Sequence, residues 1–541
     1  MSRYALGLDY GTLSVRALVV DCATGKEVAE ATMAYPHAVI TETLPGTKQK
    51  LPQEFALQCP ADYTNGALTV IREVLKTVDG KDIIGIGIDF TACTVLPIKK
   101  DGTPLCELDA FKDNPQAWVK LWKHHAAQPQ ADKVNEVAHA RGEKFLEYYS
   151  GIISSEWLLP KCWETLEKAP EVYEAADLFI EAGDWIVQQI TGSFSRNACA
   201  AGYKGLWSEE LGNPSKEFLT ALDPKLAGLN SKILDRIVAA GEEAGTVSES
   251  FAKLSGLKAG TPVSAAIIDA HSGVPGMGVS NAGPLCMIMG TSGCHMLPSA
   301  ELHLFNGYAG VVKDGILPGF YGYESGQAAV GDIYGWFAKD FMGVPHAELE
   351  KKAAVLKPGE SGLVALDWMN GNRSILMNAN LSGTILGLTL NSKPEEVYRA
   401  LVEATAFGTK IIVDSYLDNK VPVTELVACG GLIRFDFIMQ IYADVLGLPV
   451  KTAASGQAVA LGSAVFGAVA AGKDGGGFDT VTEAVEKMTK PFVKTFTPNP
   501  EASAIYRELF AIYKRCHDFF GQEEPRLMKE LKQIKSDAAK Q

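Results

Sequence analysis

Two short turns carry the residue types that bind phosphate groups. In the first, Asp9 ends a strand pattern and is followed by Gly11 and Thr12. In the second, Gly290 and Thr291 take the same places within "PLCMIMGTSGCHMLPS". The backbone N–H groups of such turns donate to phosphate oxygens, and glycine lets the backbone approach the ligand closely. An aspartate beside a phosphate favours a cation such as Mg²⁺ between them, so the turns predict a polyphosphate site.

A third candidate is the pair Gly430-Gly431, which follows the apolar stretch "ELVAC" and precedes a helical pattern. Ligands of α/β proteins gather at such strand ends.

Two familiar phosphate motifs are excluded. "GAVAAGKD" has Asp474 where a Walker A loop needs Ser or Thr, and "GIGIDF" lacks the third glycine of a dinucleotide fingerprint.

Three charged residues are candidates for acid, base or sugar-binding roles. "SAAIIDAHSG" predicts a short strand that ends at Asp269, whose carboxylate could act as a base or cap the following segment. Glu324 and Lys204 stand among small residues in "YGYESGQ" and "AAGYKGLW". A single lysine or glutamate is most often a solvated surface charge, and spacing alone does not join these residues into one site.

A repeated strand-turn-strand unit must position these residues. Alternating apolar residues predict strands on both sides of the first turn, and "IIGIGIDF" predicts another buried strand. The pattern restarts near residue 284, which predicts two related domains whose turns face one another across a cleft. From about residue 500 the chain predicts an exposed, charge-rich helix.

Composition narrows the class of protein. The chain has 541 residues, 47% of them hydrophobic and 21% charged, as in a globular protein of two or more domains. The net charge of −14 argues against nucleic acid as the main partner. Ten scattered cysteines, none in Cys-x-x-Cys, favour reduced thiols. With no apolar run near the ~18 residues of a membrane span and no apolar signal segment, we expect a soluble cytoplasmic protein.

Stretches along nearly the whole chain resemble the FGGY family of carbohydrate kinases. They are "GLDYGTLSVRALVVD", "IGIDFTACTVLPI", "LWKHH", "GIISSEWLLPK", "GTSGCHML", "GYESGQAAVGDIYGWF", "LDWMNGNRS" and "GGLIRFDFIMQIYADVLGLPV". The resemblance implies an α/β fold with two RNase H-like domains of the actin/Hsp70/sugar-kinase ATPase fold and an interdomain cleft. Residues 1–280 would form the N-terminal sugar-binding domain, and residues 281–541 the C-terminal nucleotide-binding domain.

The resemblance also implies ATP and Mg²⁺ as cofactors and a role for each candidate residue. Asp9 would help to position Mg²⁺ and the phosphates. Asp269 matches the catalytic base of the family and, with Ala92, Lys204 and Glu324, its sugar pocket. The phosphates would be lined by Gly11, Thr12, Gly290 and Thr291, and the adenosine by Gly430 and Gly431. One departure is Leu13, which stands where many members carry a polar or acidic residue.

"SSEWLLPK" and "ESGQAAVGDIYGWF" are most similar to members that phosphorylate L-ribulose at O5 in L-arabinose breakdown. The expected activity is therefore ATP-dependent phosphorylation of L-ribulose to L-ribulose 5-phosphate. A kinase of another ketose or polyol, such as D-ribulose or D-xylulose, is the near alternative. The distant alternative is a non-kinase actin-like ATPase. The expected partners are a small sugar and ATP, without nucleic acid or membrane, and a homodimer is one option for the assembly.

Overall fold

The computed structural model describes residues 3–539; residues 1–2, which precede the first predicted strand, and residues 540–541 lie outside them. The chain divides into two compact units. The first comprises the described residues up to Asn281, with Gly310–Gly322 and Gln457–Lys490. The second comprises Ala282–Ala309, Tyr323–Gly456 and the described residues from Pro491. Each unit is therefore built from separate stretches of chain.

The strands are, in chain order, β1 (Tyr4–Tyr10), β2 (Ser14–Asp21), β3 (Glu27–Ala34), β4 (Leu57–Gln58), β5 (Ile83–Phe90), β6 (Val95–Ile98), β7 (Val119–Lys120), β8 (Leu178–Glu181), β9 (Arg196–Asn197), β10 (Ile237–Val238), β11 (Glu243–Thr246), β12 (Pro262–Ser264), β13 (Ile267–Ile268), β14 (Pro284–Met289), β15 (Gly293–Ser299), β16 (Gly310–Lys313), β17 (Tyr321–Gln327), β18 (Val364–Leu366), β19 (Thr384–Leu386), β20 (Glu425–Cys429), β21 (Val450–Thr452) and β22 (Lys494–Phe496).

The α-helices are α1 (Pro60–Val74), α2 (Gln128–Arg141), α3 (Leu158–Lys168), α4 (Pro170–Ala175), α5 (Ala182–Thr191), α6 (Ala198–Lys204), α7 (Lys216–Leu222), α8 (Glu249–Ser255), α9 (Asp269–Gly276), α10 (Gly331–Gly335), α11 (His346–Ala353), α12 (Pro394–Asp418), α13 (Asp436–Leu446), α14 (Ala458–Ala470), α15 (Gly472–Gly475), α16 (Val481–Met488), α17 (Pro500–Asp518) and α18 (Arg526–Ala539). Short 3₁₀ and π-helical segments lie between some of them.

The main sheet of the first unit has the strand order β11-β12-β5-β1-β2-β3, and β13 also pairs with β5. β1 runs antiparallel to β2 and parallel to β5, in a register that sets Asp9 opposite Asp89. β13 is also parallel to β5 and pairs Ile268 with Phe90. Because parallel strands end at the same edge of a sheet, Asp9, Asp89 and the residue after Ile268 share one edge.

Helix α14 belongs to the first unit and packs on β1, β5 and α9. The contact is so close that only glycine fits at several positions. A Cβ atom at Gly87 of β5 would lie 1.8 Å from Ser463 O, and one at Gly462 would lie 1.7 Å from Ser272 O. Side chains are absent from both surfaces at these points, so backbone lies directly against backbone.

The sheet of the second unit repeats the arrangement of the first. Its strands include the order β17-β15-β14-β20-β21-β22. β14 is antiparallel to β15 and parallel to β20, as β1 is to β2 and β5. The strand-turn-strand repeat predicted from the sequence is confirmed, since residues 290–292 join β14 to β15 as residues 11–13 join β1 to β2.

The charge-rich helix predicted from about residue 500 is confirmed, but α17 is not exposed on every side. One face of this helix is buried in the second unit, where Tyr506 donates to Glu403 at 2.9 Å and Tyr513 donates to Asp367 at 2.8 Å. The tyrosines that form these contacts are among the most buried side chains of the protein. Charged residues on the opposite face dominated the sequence pattern and concealed the buried one.

Candidate functional site

Three segments hold the turn between β1 and β2 from outside. The Gln58 side chain donates from Nε2 to Thr12 O at 2.7 Å, and Trp122 donates from Nε1 to Thr12 Oγ1 at 3.1 Å. The Tyr35 N–H donates to Leu13 O at 2.9 Å, while Gly11 N donates to Ser14 O at 3.0 Å. The conformation of the turn is therefore fixed by contacts from distant parts of the first unit.

The orientation of the Gln58 amide is itself fixed. Tyr63 donates its hydroxyl hydrogen to Gln58 Oε1 at 2.6 Å, which identifies Oε1 as the acceptor and leaves Nε2 as the donor toward Thr12. Gln58 is buried, whereas the Leu13 side chain is 57% exposed. The base of the turn is thus enclosed while its tip is accessible to a ligand.

Two neighbouring carboxyl groups lie beside this turn. Asp9 Oδ2 is 3.1 Å from Arg16 Nη1, and Asp89 Oδ2 accepts a 2.6 Å hydrogen bond from Ser463 Oγ. Burial raises the pKa of Asp9, against the opposing effects of its hydrogen bond with Asp89 and of the Arg16 charge. Burial, and then the nearby charge of Asp9, raises the pKa of Asp89 well above its ordinary value; the charge of Asp269 adds to this effect.

Asp269 is the first residue of α9 and directly follows β13. It is half-buried, and its Oδ1 accepts a hydrogen bond from Ala270 N at 2.7 Å. The pairing of β13 with β5 sets Asp269 at the sheet edge where Asp9 and Asp89 end their strands. Its carboxylate lies close enough to Asp89 for its charge to raise the pKa of that residue.

Ala92 and Lys204 lie in the same unit. Ala92 follows β5, and its carbonyl accepts a 3.2 Å hydrogen bond from Thr94 Oγ1. Lys204 ends α6 and is only 7% exposed, so it is not the solvated surface charge that a single lysine usually is. Its Nζ lies 5.8 Å from the ring centroids of both Trp157 and Tyr203. Burial raises the pKa of Cys93, beside Ala92, and the Lys204 charge opposes this.

The turn of the second unit is held by the segment before and within α10. Val330 N donates to Thr291 O at 2.8 Å, and Gly331 N donates to Gly290 O at 3.0 Å. Asp332 N makes a further 3.2 Å bond to Thr291 O. The carbonyl groups of the turn are thus engaged on the protein side.

Gly430 lies against the end of β14, next to this turn. Its φ is +96°, and a Cβ atom there would be 2.5 Å from Met289 O. Because β14 and β20 are parallel and pair Ile288 with Cys429, Gly290 and Gly430 follow neighbouring strands at one edge. Glu324 is half-buried on β17, where its carbonyl accepts from Ala309 N at 2.7 Å.

The structure therefore gathers nine of the predicted residues into one group within each unit, whereas Lys204 lies at the end of α6 in the first unit. Asp9, Gly11, Thr12, Ala92 and Asp269 lie at or just beyond the sheet edge of the first unit. Gly290, Thr291, Gly430 and Gly431 do so in the second unit, which also contains Glu324.

Three residues at the first turn were missed from the sequence. Asp89 ends a predicted strand as Asp9 does, and this signal could have identified it. Gln58 and Trp122 had no such signal, because each reaches Thr12 only through the tertiary fold.

Two family models match the chain. The model described as FGGY family of carbohydrate kinases, N-terminal domain, matches residues 4–276, and the corresponding C-terminal model matches residues 285–471. Among curated proteins, the chain is 50% identical to a ribulokinase of Geobacillus thermodenitrificans, with 99% of this chain and 98% of the relative covered. It is 45% identical to a ribulokinase of Mycolicibacterium smegmatis, with 99% and 97% covered.

Solved structures share the fold at lower identity. A xylulose kinase from Rhodospirillum rubrum superposes with a TM-score of 0.79 at 22% identity, covering 96% of this chain and 99% of that one. A glycerol kinase from Plasmodium falciparum, solved with ADP, superposes with a TM-score of 0.76 at 14% identity, covering 95% of this chain and 98% of that one. The predicted α/β fold class of the sugar-kinase ATPases is confirmed. Within residues 3–539, no helix is both long and apolar enough to cross a membrane.

Proposed function

The chain belongs to the FGGY family of carbohydrate kinases, and from this we propose that it transfers the γ-phosphoryl group of ATP to O5 of L-ribulose. The products are L-ribulose 5-phosphate and ADP. The choice of sugar is supported by relatives named ribulokinase that are 45% and 50% identical over nearly the full length. The observation that carries the mechanism is the position of Asp269 at the sheet edge that also bears the first turn.

We assign the phosphate groups of ATP to the two turns. The backbone of Gly11 and Gly290 permits close approach, and the hydroxyls of Thr12 and Thr291 donate to phosphate oxygens. Gly430 and Gly431 would lie against the adenosine. Phosphoryl transfer depends on such positioning and on charge neutralisation more than on covalent chemistry with the protein.

Asp9 is the residue proposed for Mg²⁺. Asp9 and its neighbour Asp89 offer only oxygen donors, which is the ligand type that Mg²⁺ prefers, and the Asp9 side chain retains 12% exposure. When bound, Mg²⁺ would neutralise charge on the phosphates. Arg16, 3.1 Å from Asp9, orients the carboxylate and offsets part of its charge in this buried setting.

Asp269 is proposed as the general base. The O5 hydroxyl of the sugar loses its proton to the Asp269 carboxylate while the O5–Pγ bond forms and the bond from Pγ to the bridging oxygen of ADP breaks. A carboxylate within hydrogen-bond reach also fixes the attacking oxygen in line with the leaving group. For sugar recognition we propose Ala92 and Lys204 of the first unit and Glu324 of the second.

A coupled ADP-release assay with a panel of sugars tests the proposal. L-Ribulose, D-ribulose, D-xylulose and glycerol would be compared at saturating ATP and Mg²⁺. We expect the highest kcat/KM for L-ribulose. A higher value for D-ribulose or D-xylulose would favour the near alternative. Hydrolysis of ATP that no sugar accelerates would favour the non-kinase ATPase instead.

We further propose that the reaction takes place in the cytoplasm. This is supported by the ten cysteines, all within the described residues and none of them in a disulfide. The homodimer stays a prediction, which light scattering coupled to size-exclusion chromatography would test.

A further inference from the structure

A nitrogen, a sulfur and an oxygen donor that the proposed reaction does not use meet on the first unit. His37 follows β3, Cys59 precedes α1, and Asp62 lies in the first turn of that helix. One potential ligand atom from each of the three residues lies within 4.8 Å of the other two. Asp62 is buried, Cys59 is half-buried and His37 is exposed, so a small ion could reach the group from solvent.

His37 and Asp62 already hold one another. His37 Nδ1 is 2.8 Å from Asp62 Oδ1, and the His37 backbone N–H donates to Asp62 Oδ2 at 3.0 Å. Two atoms that ligate the same Zn²⁺ at roughly 2.1 Å in a tetrahedral site are themselves about 3.4 Å apart. As the ion enters, these two atoms would therefore move apart by about 0.6 Å and the hydrogen-bonded proton between them would be displaced. Cys59 Sγ already lies within 4.8 Å of a ligand atom of each of the other two residues.

We propose that His37, Cys59 and Asp62 form a binding site for a thiophilic divalent cation, with Zn²⁺ as the fitting ion. Imidazole, thiolate and carboxylate are the ligands that Zn²⁺ takes, whereas Mg²⁺ and Ca²⁺ prefer oxygen alone. A thiolate and a carboxylate together carry two negative charges, which balance the charge of the ion. Three protein ligands leave a fourth position of the tetrahedron to water.

The segments that carry these ligands also hold the first turn. Tyr35, two residues before His37, donates to Leu13 O, and Gln58, directly before Cys59, donates to Thr12 O. An ion that ties His37 to Cys59 would therefore constrain two of the groups that fix the turn. We expect Zn²⁺ bound here to change the KM for ATP, a consequence that rests on the proposed function of the turn.

Cobalt substitution in the untagged full chain tests the site itself. Co²⁺ should bind one equivalent with the visible bands of a tetrahedral ion and an ultraviolet sulfur-to-cobalt charge-transfer band, and Zn²⁺ should remove both. The Cys59→Ser variant should lose the charge-transfer band. His37→Ala should weaken Co²⁺ binding by at least the roughly 10–100-fold that loss of an outer-shell partner costs. Cys516→Ser, at a partly exposed thiol on α17, is the matched control and should retain the band.

A charge-transfer band that is absent in the wild type, or that persists in Cys59→Ser, would overturn the proposal. A charge-transfer band that is lost in Cys516→Ser would also overturn the proposal.

A second experiment measures the KM for ATP at fixed free Mg²⁺, with and without Zn²⁺, in the wild type and in Cys59→Ser. Zn²⁺ should change the KM for ATP in the wild type but not in Cys59→Ser. If no sugar kinase activity is found at all, the cobalt spectra still decide the metal site independently.

Discussion

Trp122 donates a hydrogen bond of 3.1 Å from its indole nitrogen to the hydroxyl oxygen of Thr12, across 110 positions of sequence. An indole N–H can only donate, so the Thr12 oxygen acts as acceptor in this contact. The hydroxyl hydrogen of Thr12 is then directed to another acceptor. The carbonyl of the same residue accepts from Gln58, so both oxygens of Thr12 are held by the rest of the first unit.

Replacing Trp122 by Phe should therefore weaken ATP binding. The loss of one hydrogen bond corresponds to about 0.5–1.5 kcal/mol, or roughly a 2–12-fold higher KM for ATP, with little change in the KM for the sugar. Steady-state kinetics would be measured in the wild-type and Thr12→Val backgrounds. If Trp122 acts through the Thr12 hydroxyl, its replacement has no further effect in the Thr12→Val protein. An equal loss in both backgrounds would assign Trp122 to general packing.

Asp269→Asn preserves shape but cannot accept the proton of the attacking hydroxyl. We expect kcat to fall by about 10²–10⁴, with ATP affinity and melting temperature close to those of the wild type. The contact between Asp269 Oδ1 and Ala270 N allows the alternative of a structural cap. A structural cap would tolerate Asn, whose side-chain oxygen can still accept from Ala270 N. Turnover of Asp269→Asn at nearly the wild-type rate would therefore remove Asp269 from the mechanism.

Lys204→Met retains the methylene stem beside Trp157 and Tyr203 but removes the charge. Loss of a buried hydrogen bond to a sugar hydroxyl costs about 1–3 kcal/mol, so the KM for L-ribulose should rise far more than the KM for ATP. In Glu324→Gln, too, the KM for L-ribulose should rise far more than the KM for ATP. Lys216→Met, at an exposed lysine of α7, is the matched control. Equal changes in both KM values would contradict the proposed sugar-binding roles.

Replacing three glycines by alanine, one at a time, distinguishes glycines that contact the ligand from glycines that the fold requires. A methyl group at Gly11 would meet only Ser14 O at 3.6 Å, and one at Gly290 would meet no described heavy atom within 4 Å. Both variants should melt like the wild type and yet show a raised KM for ATP. Gly430→Ala, at φ +96° and 2.5 Å from Met289 O, should unfold at a lower temperature. Normal ATP kinetics in the first two variants would exclude those glycines from the phosphate site.

The pH dependence of stability should change in Asp184→Asn. Burial raises the pKa of Asp184 from 3.8 to about 7, although the backbone and side chain of Asn197 both donate to its Oδ1 at 2.9 Å. Because the pKa of Asp184 is raised in the folded state, the contribution of this residue to the free energy of unfolding is complete below pH 3.8. That contribution is lost as the pH rises toward 7. The melting temperature of the variant relative to the wild type should therefore increase from pH 5 to pH 8. A difference in melting temperature that is the same at pH 5 and pH 8 would contradict the raised pKa of Asp184.

Local patterns predicted the strands and turns well, because alternation of apolar residues and a Gly-Thr turn are written in adjacent positions. The pairing of Asp9 with Asp89 depends on sheet order, and the burial of Lys204 depends on rings from Trp157 and its own neighbour Tyr203. Neither can be deduced from spacing. Trp122 is the clearest example, because its one polar contact with the turn is formed only when the tertiary fold is complete.

The packing of α14 has a consequence for synthesis on the ribosome. The surfaces of β1 and β5 that receive this helix are made early, but α14 begins only at Ala458, after most of the second unit has been translated. At about 5–20 residues per second, the delay between Asn281 and Gln457 is roughly 10–35 s. Throughout that interval a glycine-lined apolar sheet face lacks its helix, so the nascent first unit is a candidate client for chaperones that bind exposed strands.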